Sequence, residues 1–122
     1  MKNRAAITAL FLAMTPATAF AGKADVVGIE ASKERSGVYR FNVTVKSDDT
    51  GWDKYADKWE VLGPDNQIFG TRVLLHPHEN EQPFTRSLGG VEIPAGIATV
   101  RVRAHDKIEG YGGKEMTLEL PD

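Results

Sequence analysis

The chain has 122 residues, of which 41% are hydrophobic, and its 15 basic and 17 acidic residues give a net charge of −2. This length fits one domain. Nucleic acids and anionic membranes are bound by concentrated basic surfaces, so the mild acidity argues against both as partners. The sequence contains no cysteine, so burial and hydrogen bonding have to supply its stability without disulfide bonds.

Residues 1–21 have the pattern of a secretory signal peptide. Two basic residues precede an apolar run from Ala5 to Met14, and Ala19-Phe20-Ala21 offers small residues to a signal peptidase. The run is about half as long as a membrane-spanning helix needs, so we expect cleavage after Ala21 and no membrane span. Because no cysteine stands at this site, we also expect no lipid anchor.

Cleavage would leave residues 22–122 as a single domain, located in the periplasm or secreted. Residues 1–21 contain two basic residues and no acidic one, so thirteen basic and seventeen acidic residues would remain, a net charge of −4.

The remaining chain is dominated by alternation of apolar and polar residues, the mark of strands with one buried face. This alternation predicts about seven strands, at Val27 to Ala31, Tyr39 to Val45, Trp59 to Val61, Ile68 to Leu75, Phe84 to Ile93, Val100 to Ala104 and Met116 to Leu120. In the first stretch, Val27, Ile29 and Ala31 are expected to face the core.

Glycine, proline and aspartate clusters separate the strands at intervals of about 8–12 residues. This spacing predicts an all-β fold, an antiparallel β-sandwich, and leaves no room for crossover helices. Only Trp52 to Trp59 is compatible with a helical turn, because aromatic and small residues recur there at helical spacing. The glycine-rich residues 110–113 are expected to join the last two strands as a hairpin.

Two segments resemble parts of immunoglobulin-like and fibronectin type III-like sandwiches. Trp59-Glu60-Val61-Leu62 is similar to the strand that carries the core tryptophan of such folds, and Val100-Arg101-Val102-Arg103-Ala104 is similar to their penultimate strand. The resemblance implies an immunoglobulin-like arrangement of the strands. The stretches 50–61 and 76–88 also resemble a family of small exported bacterial proteins of uncharacterised function, which implies no activity.

His76-Pro77-His78 is the most suggestive segment for metal chemistry. The proline stiffens the backbone between two imidazoles, and Glu79 and Glu81 follow directly. If His105 came close in space, three imidazoles with a carboxylate would suit Cu²⁺ or Zn²⁺. The alternative is structural: His76 ends a strand and His78 lies in a solvated loop. Our main expectation is that the protein has no cofactor.

Trp52 and Tyr55 are candidates for an exposed aromatic surface that binds a sugar ring or a protein. Tryptophan and tyrosine are enriched at binding hot spots, although large rings in a small sandwich are often core. We expect Trp59 to be core and leave both possibilities open for Trp52.

Catalytic patterns are missing from the sequence. Ser87 lacks the Gly-x-Ser-x-Gly elbow of a nucleophilic serine, and no pair of carboxylates has a spacing that indicates acid–base chemistry. Arg101, Arg103 and His105 form a basic stripe on one strand, and we expect it to pair with acidic residues on neighbouring strands.

These patterns favour a non-catalytic binding or accessory module. Its partner would be an envelope protein or a small ligand, bound by loops on a rigid scaffold. The candidate binding residues are Trp52, Tyr55, His76, His78, Glu79, Glu81 and Arg86. The alternative function is a copper- or zinc-binding protein that uses His76, His78 and His105.

Overall fold

The structure, a computed structural model, describes residues 22–122. The predicted signal peptide lies outside the described residues. Seven strands follow one another along the chain: β1 (Asp25–Arg35), β2 (Val38–Lys46), β3 (Ala56–Leu62), β4 (Ile68–Val73), β5 (Phe84–Glu92), β6 (Thr99–Asp106) and β7 (Met116–Glu119).

The strands form two antiparallel sheets. One sheet has the order β1-β2-β5 and the other β4-β3-β6-β7, so the predicted all-β, antiparallel sandwich of seven strands is confirmed. Three hairpins, β1–β2, β3–β4 and β6–β7, stay within a sheet, and the other three connections pass from one sheet to the other.

The core lies between the sheets and consists of the inward side chains of alternate strand positions. Phe41, Val43, Val45, Trp59 and Val61 are completely buried, so the predictions of β2 as a half-buried strand and of Trp59 as a core residue are confirmed. At the 25 cal/mol that each Å² of buried apolar surface contributes, one large side chain stabilises the fold by about 2 kcal/mol.

The predicted inward face of β1 is wrong at its start. Val26 is completely buried, whereas Val27 is 40% exposed. The register of β1 against β2 shifts between Val26 and Gly28. Because side chains alternate with a period of two, a one-residue irregularity changes which positions face the core. Ile29 and Ala31, beyond the shift, are partly buried against the core as expected.

The interpretation of Trp52 to Trp59 as a helical turn is also wrong. Residues 47–55 form an irregular loop in which Gly51 and Lys54 make an isolated β-bridge, and β3 starts at Ala56. The only helical element among residues 22–122 is a short 3-10 turn, Pro64–Asn66. None of the described residues belongs to a helix with the length and apolar character that a membrane crossing requires.

Candidate functional site

Loops 47–55 and 107–115, which connect β2 to β3 and β6 to β7, meet at one end of the sandwich. The backbone N–H of Lys107 donates to the carbonyl of Tyr55 at 2.9 Å, and its side-chain ammonium donates to the carbonyl of Trp52 at 2.8 Å. The glycine-rich segment 110–113 lies in the connection between β6 and β7, as predicted. Two segments that are more than 50 residues apart in the chain thus form one surface.

Large apolar side chains are exposed on this surface. Trp52 and Ile108 are each 62% exposed. The Trp52 ring packs edge-on against the ring of Tyr55, with the centroids 5.8 Å apart, and the Lys107 ammonium lies 5.7 Å from the Tyr55 centroid. We call Trp52, Tyr55, Lys107 and Ile108 the aromatic surface.

A buried ion pair between Lys54 and Asp106 links the two loops that carry the aromatic surface. Asp106 is completely buried, and its carboxylate accepts a hydrogen bond from the Lys54 ammonium at 2.9 Å. Its other oxygen accepts the backbone N–H groups of Ile108 and Glu109 at 2.9 and 2.8 Å. Burial alone would raise the pKa of Asp106, but these hydrogen bonds outweigh it and hold the pKa below the usual value. The carboxylate therefore stays ionised and joins both loops.

The second candidate segment, within loop 74–83, is built around a buried histidine. The His78 ring is stacked on Phe84, with the centroids 3.9 Å apart and the planes at 7°, and only 4% of the residue is exposed. The expectation that His78 lies in a solvated loop is wrong. Its backbone N–H donates to Asp49 at 2.8 Å, which draws residue 78 towards the core.

His78 is held in the neutral form. An Arg86 N–H lies 2.9 Å from Nε2, and because arginine only donates, Nε2 has to accept and the proton is on Nδ1. Burial, followed by the nearby Arg86 cation, lowers the pKa of His78. Nδ1 has no hydrogen-bond partner and lies 4.0 Å from the carboxylate of Asp49.

The rest of this segment is at the surface. His76 is exposed, and its ring centroid is 4.6 Å from that of His78. Glu79 and Glu81 are exposed as well. Arg86 pairs with Glu81 at 3.1 Å, and this pairing adds to its contact with His78. Arg86 thus serves the internal contacts of the loop, besides any role as an anchor for a partner.

His105 belongs to a different cluster, on the outer face of the four-stranded sheet. Its Nδ1 is 2.6 Å from the carboxylate of Asp57, and its ring packs against Tyr111. The structure does not bring three imidazoles together: residues 22–122 contain no group of three or more His, Cys, Asp or Glu side chains that could hold a metal ion.

The basic stripe on β6 pairs with acidic residues, as expected. Arg103 donates to Glu60 at 2.8 Å and Arg101 to Glu115 at 2.9 Å. Tyr111 covers this face: Arg103 lies 4.0 Å from its ring centroid, and its hydroxyl donates to Glu60 at 3.2 Å. Glu60, only 3% exposed, therefore has its charge compensated where it is buried.

Lys58 completes this outer-face cluster. Its ammonium is 3.7 Å from Glu60, and interaction with the Tyr111 hydroxyl raises the pKa of Lys58 despite partial burial. The cluster satisfies its own charges.

Sequence reasoning found two of the four residues of the aromatic surface. It missed Lys107 and Ile108 and the support from Lys54 and Asp106. Asp106 ends the alternating stretch of β6, where an acidic residue on the inward face is a signal of a buried ion pair. Nothing in the sequence linked it to Lys54, which is 52 positions away.

The chain is similar to a protein of Halomicrobium mukohataei that carries the name "Putative lipoprotein". The two are 40% identical over 97 residues, which cover 80% of this chain and 47% of the relative. The chain thus spans about half the length of this relative. No family model matches the sequence, and no solved structure matches it.

Proposed function

We propose that residues 22–122 form an exported, non-catalytic binding module that engages a protein of the cell envelope through the aromatic surface. The observation that carries the proposal is the pair of side chains Trp52 and Ile108, each 62% exposed, on two loops fastened by one buried ion pair. The name of the relative, a lipoprotein, supports an exported or envelope-associated location.

The physical reason lies in the combination of exposure and rigidity. Exposed tryptophan and tyrosine lose solvent-accessible apolar area when a partner covers them, and such residues dominate the binding energy of many interfaces. Binding is weakened when loops have to be ordered first. Here Lys54, Lys107 and Asp106 order the loops in advance.

Protein is favoured over a small ligand because the aromatic surface projects outward. The two rings meet edge-on rather than enclosing a cleft, whereas small-molecule sites are concave. The immunoglobulin-like arrangement suggested by the sequence fits this use, since such scaffolds present loops at one end of the sandwich. The non-catalytic part of the proposal is supported by the outer-face cluster and the His78 cluster, whose polar groups bond mainly to one another.

The test compares two exposed apolar residues at opposite ends of the sandwich. Partners captured from an envelope extract by the wild-type protein are identified by mass spectrometry, and the dissociation constant of each is then measured with purified components. We expect Trp52→Ala to weaken binding at least tenfold, or about 1.4 kcal/mol. Ile68→Ala, which removes a side chain that is 51% exposed, is the control and should leave the affinity unchanged.

The reverse result would contradict the proposal. If Ile68→Ala weakens binding and Trp52→Ala does not, the partner binds the end of the sandwich that carries the β3–β4 turn.

The metal alternative rests on His76 and His78. It predicts that Cu²⁺ or Zn²⁺ raises the thermal midpoint of the wild-type protein and leaves that of a His76→Ala, His78→Ala double variant unchanged.

A further inference from the structure

Residues 22–24 are packed against the base of the aromatic surface. The carbonyl of Gly22 accepts a hydrogen bond from the Lys54 ammonium at 2.7 Å, and the Lys23 ammonium donates to the carbonyl of Glu109 at 3.2 Å. Gly113 passes so close that a Cβ placed on it would lie 1.9 Å from the carbonyl oxygen of Ala24. This segment therefore forms part of the loop assembly rather than a loose end.

The side chain of Glu109 lies directly beside Gly22. A Cβ placed on Gly22 would be 3.6 Å from the carboxyl carbon of Glu109 and 3.8 Å from its Oε2. The backbone nitrogen of a residue is about 2.5 Å from its Cβ position, so the nitrogen of Gly22 is at most about 6.3 Å from this oxygen. A rotamer change of the exposed Glu109 side chain can close that distance.

The carboxylate of Glu109 is available for a new partner. Among residues 22–122, the neighbouring Asp106 is paired with Lys54, while Glu109 takes part in no ion pair. Lys23 contacts the backbone of Glu109 and not its carboxylate.

We propose that removal of residues 1–21 creates an α-ammonium group on Gly22 that pairs with the Glu109 carboxylate and fastens loop 107–115. The inference rests on the predicted cleavage site and is independent of the proposed partner. A signal peptidase would hydrolyse the Ala21–Gly22 peptide bond with one water molecule. The hydroxyl oxygen goes to the carbonyl carbon of Ala21, a hydrogen goes to the nitrogen of Gly22, and the amine takes one more proton from solvent at neutral pH.

With this pairing, the contacts that hold loop 107–115 would be complete only after cleavage. Before cleavage, the nitrogen of Gly22 is an uncharged amide and offers no charge to Glu109. After cleavage, the ammonium adds to the links from Lys54 and Lys23, so three cationic groups hold the amino-terminal segment and the two loops together. The aromatic surface then reaches its final order only in the exported protein.

The test compares forms with and without a free α-ammonium group on Gly22, and the Glu109 variant in each form separates the effect of this charge from that of the preceding residues. The full chain is expressed with residues 16–21 replaced by the site of a protease that cuts immediately before a glycine, so that cut and uncut forms come from one preparation. Glu109→Gln is made in both forms. Glu115→Gln, which removes a carboxylate at the end of the same loop that pairs with Arg101 instead, is the matched control.

The first readout is the pKa of the α-amino group in the cut form, followed by NMR titration of Gly22. An unperturbed α-amino group has a pKa of about 7.7–8.0. We expect a value about 0.5 unit higher or more in the wild type and in Glu115→Gln, and a return towards the ordinary range in Glu109→Gln. Equal values in the wild type and Glu109→Gln would overturn the proposal.

The second readout is hydrogen exchange of the amides in loop 107–115. Glu109→Gln should speed exchange of these amides by about twofold or more in the cut form and leave it unchanged in the uncut form. An equal effect in both forms means that Glu109 acts without the ammonium, and the proposal fails. Mass spectrometry of the naturally exported protein has to show Gly22 as its first residue, and any other first residue also overturns it.

Discussion

Loops 47–55 and 74–83 both cross from one sheet to the other, and each contacts a buried aspartate. They differ in where their aromatic side chains lie, because one loop exposes a ring to solvent and the other buries a ring against the core. In loop 47–55, Lys54 pairs with Asp106 while the Trp52 ring projects into solvent. In loop 74–83, the backbone of His78 is bonded to Asp49 and the His78 ring is stacked inward on Phe84.

The difference lies in what the aspartate binds. The carboxylate of Asp106 accepts an ammonium and the N–H groups of the neighbouring loop, so the side chains above it are left free. The carboxylate of Asp49 accepts the backbone N–H groups of Ala56 and His78, at 3.0 and 2.8 Å, and the Ser47 hydroxyl at 2.6 Å. Its contact with His78 draws the backbone of loop 74–83 towards the core. A buried anchor can thus support an exposed binding surface or close a loop over the core.

The largest effect is expected from breaking the anchor of the aromatic surface. Asp106→Ala would remove the counter-charge of the Lys54 ammonium and leave two backbone N–H groups without their acceptor, so we expect the free energy of unfolding to fall by about 3 kcal/mol. Urea unfolding at pH 7 measures this. Asp53→Ala removes an exposed carboxylate from the adjacent loop and should change stability by less than about 0.5 kcal/mol.

This loss should depend on pH. Because the pKa of Asp106 is depressed in the folded state, its contribution is complete above the unfolded-state pKa, about 3.9, and is lost as the pH falls through the lower folded-state value. The stability difference between wild type and Asp106→Ala should therefore shrink in acid. An equal difference at pH 7 and in strong acid would mean that the carboxylate charge does not matter.

A smaller effect is expected from the His78 cluster. The pKa of His78 is lowered on folding, so the unfolded chain binds a proton near pH 6.5 while the folded protein resists it. Stability should fall by on the order of 1 kcal/mol as the pH drops below this value towards the folded-state pKa. Unfolding free energies between pH 5 and 8 measure the slope.

His78→Phe keeps a ring on Phe84 and should reduce that slope. His76→Phe, at an exposed position, should retain it. If both variants keep the slope of the wild type, another group is responsible for it.

The smallest effect on stability is expected at the exposed ring. Trp52→Ala should change the free energy of unfolding by less than about 0.5 kcal/mol, whereas Trp59→Ala should cost about 3–5 kcal/mol because it opens a cavity in the core. Urea unfolding of both variants makes the comparison. A loss above about 1.5 kcal/mol for Trp52→Ala would show that its ring supports the fold.

Alternation predicted most of the fold because it follows directly from the geometry of a strand. The strands β2, β6 and β7 and the core position of Trp59 were all accessible in this way. The expectation for Val27 is wrong because a bulge breaks the alternation between Val26 and Gly28, and a glycine inside a strand pattern, here Gly28, is the local signal that could have indicated it. The helical spacing of Trp52, Tyr55 and Trp59 was a coincidence, since a loop and a strand share these residues.

The candidate sites were harder to predict because burial of polar groups depends on distant partners. Asp49 binds His78 across 29 positions, and Tyr111 reaches Glu60 across 51. The pattern around Glu60 correctly indicates an outward side chain. It does not indicate that another loop covers that side chain and buries its charge.

The order of the strands has a consequence for how the protein reaches its final location. The pairing of β2 with β5 joins residues that are far apart in the chain, such as Val43 and Arg86. Chains with such distant pairings fold in milliseconds to seconds, more slowly than helical bundles. If the predicted signal peptide directs export before folding, slow pairing of these strands would leave more time for transport before the core closes.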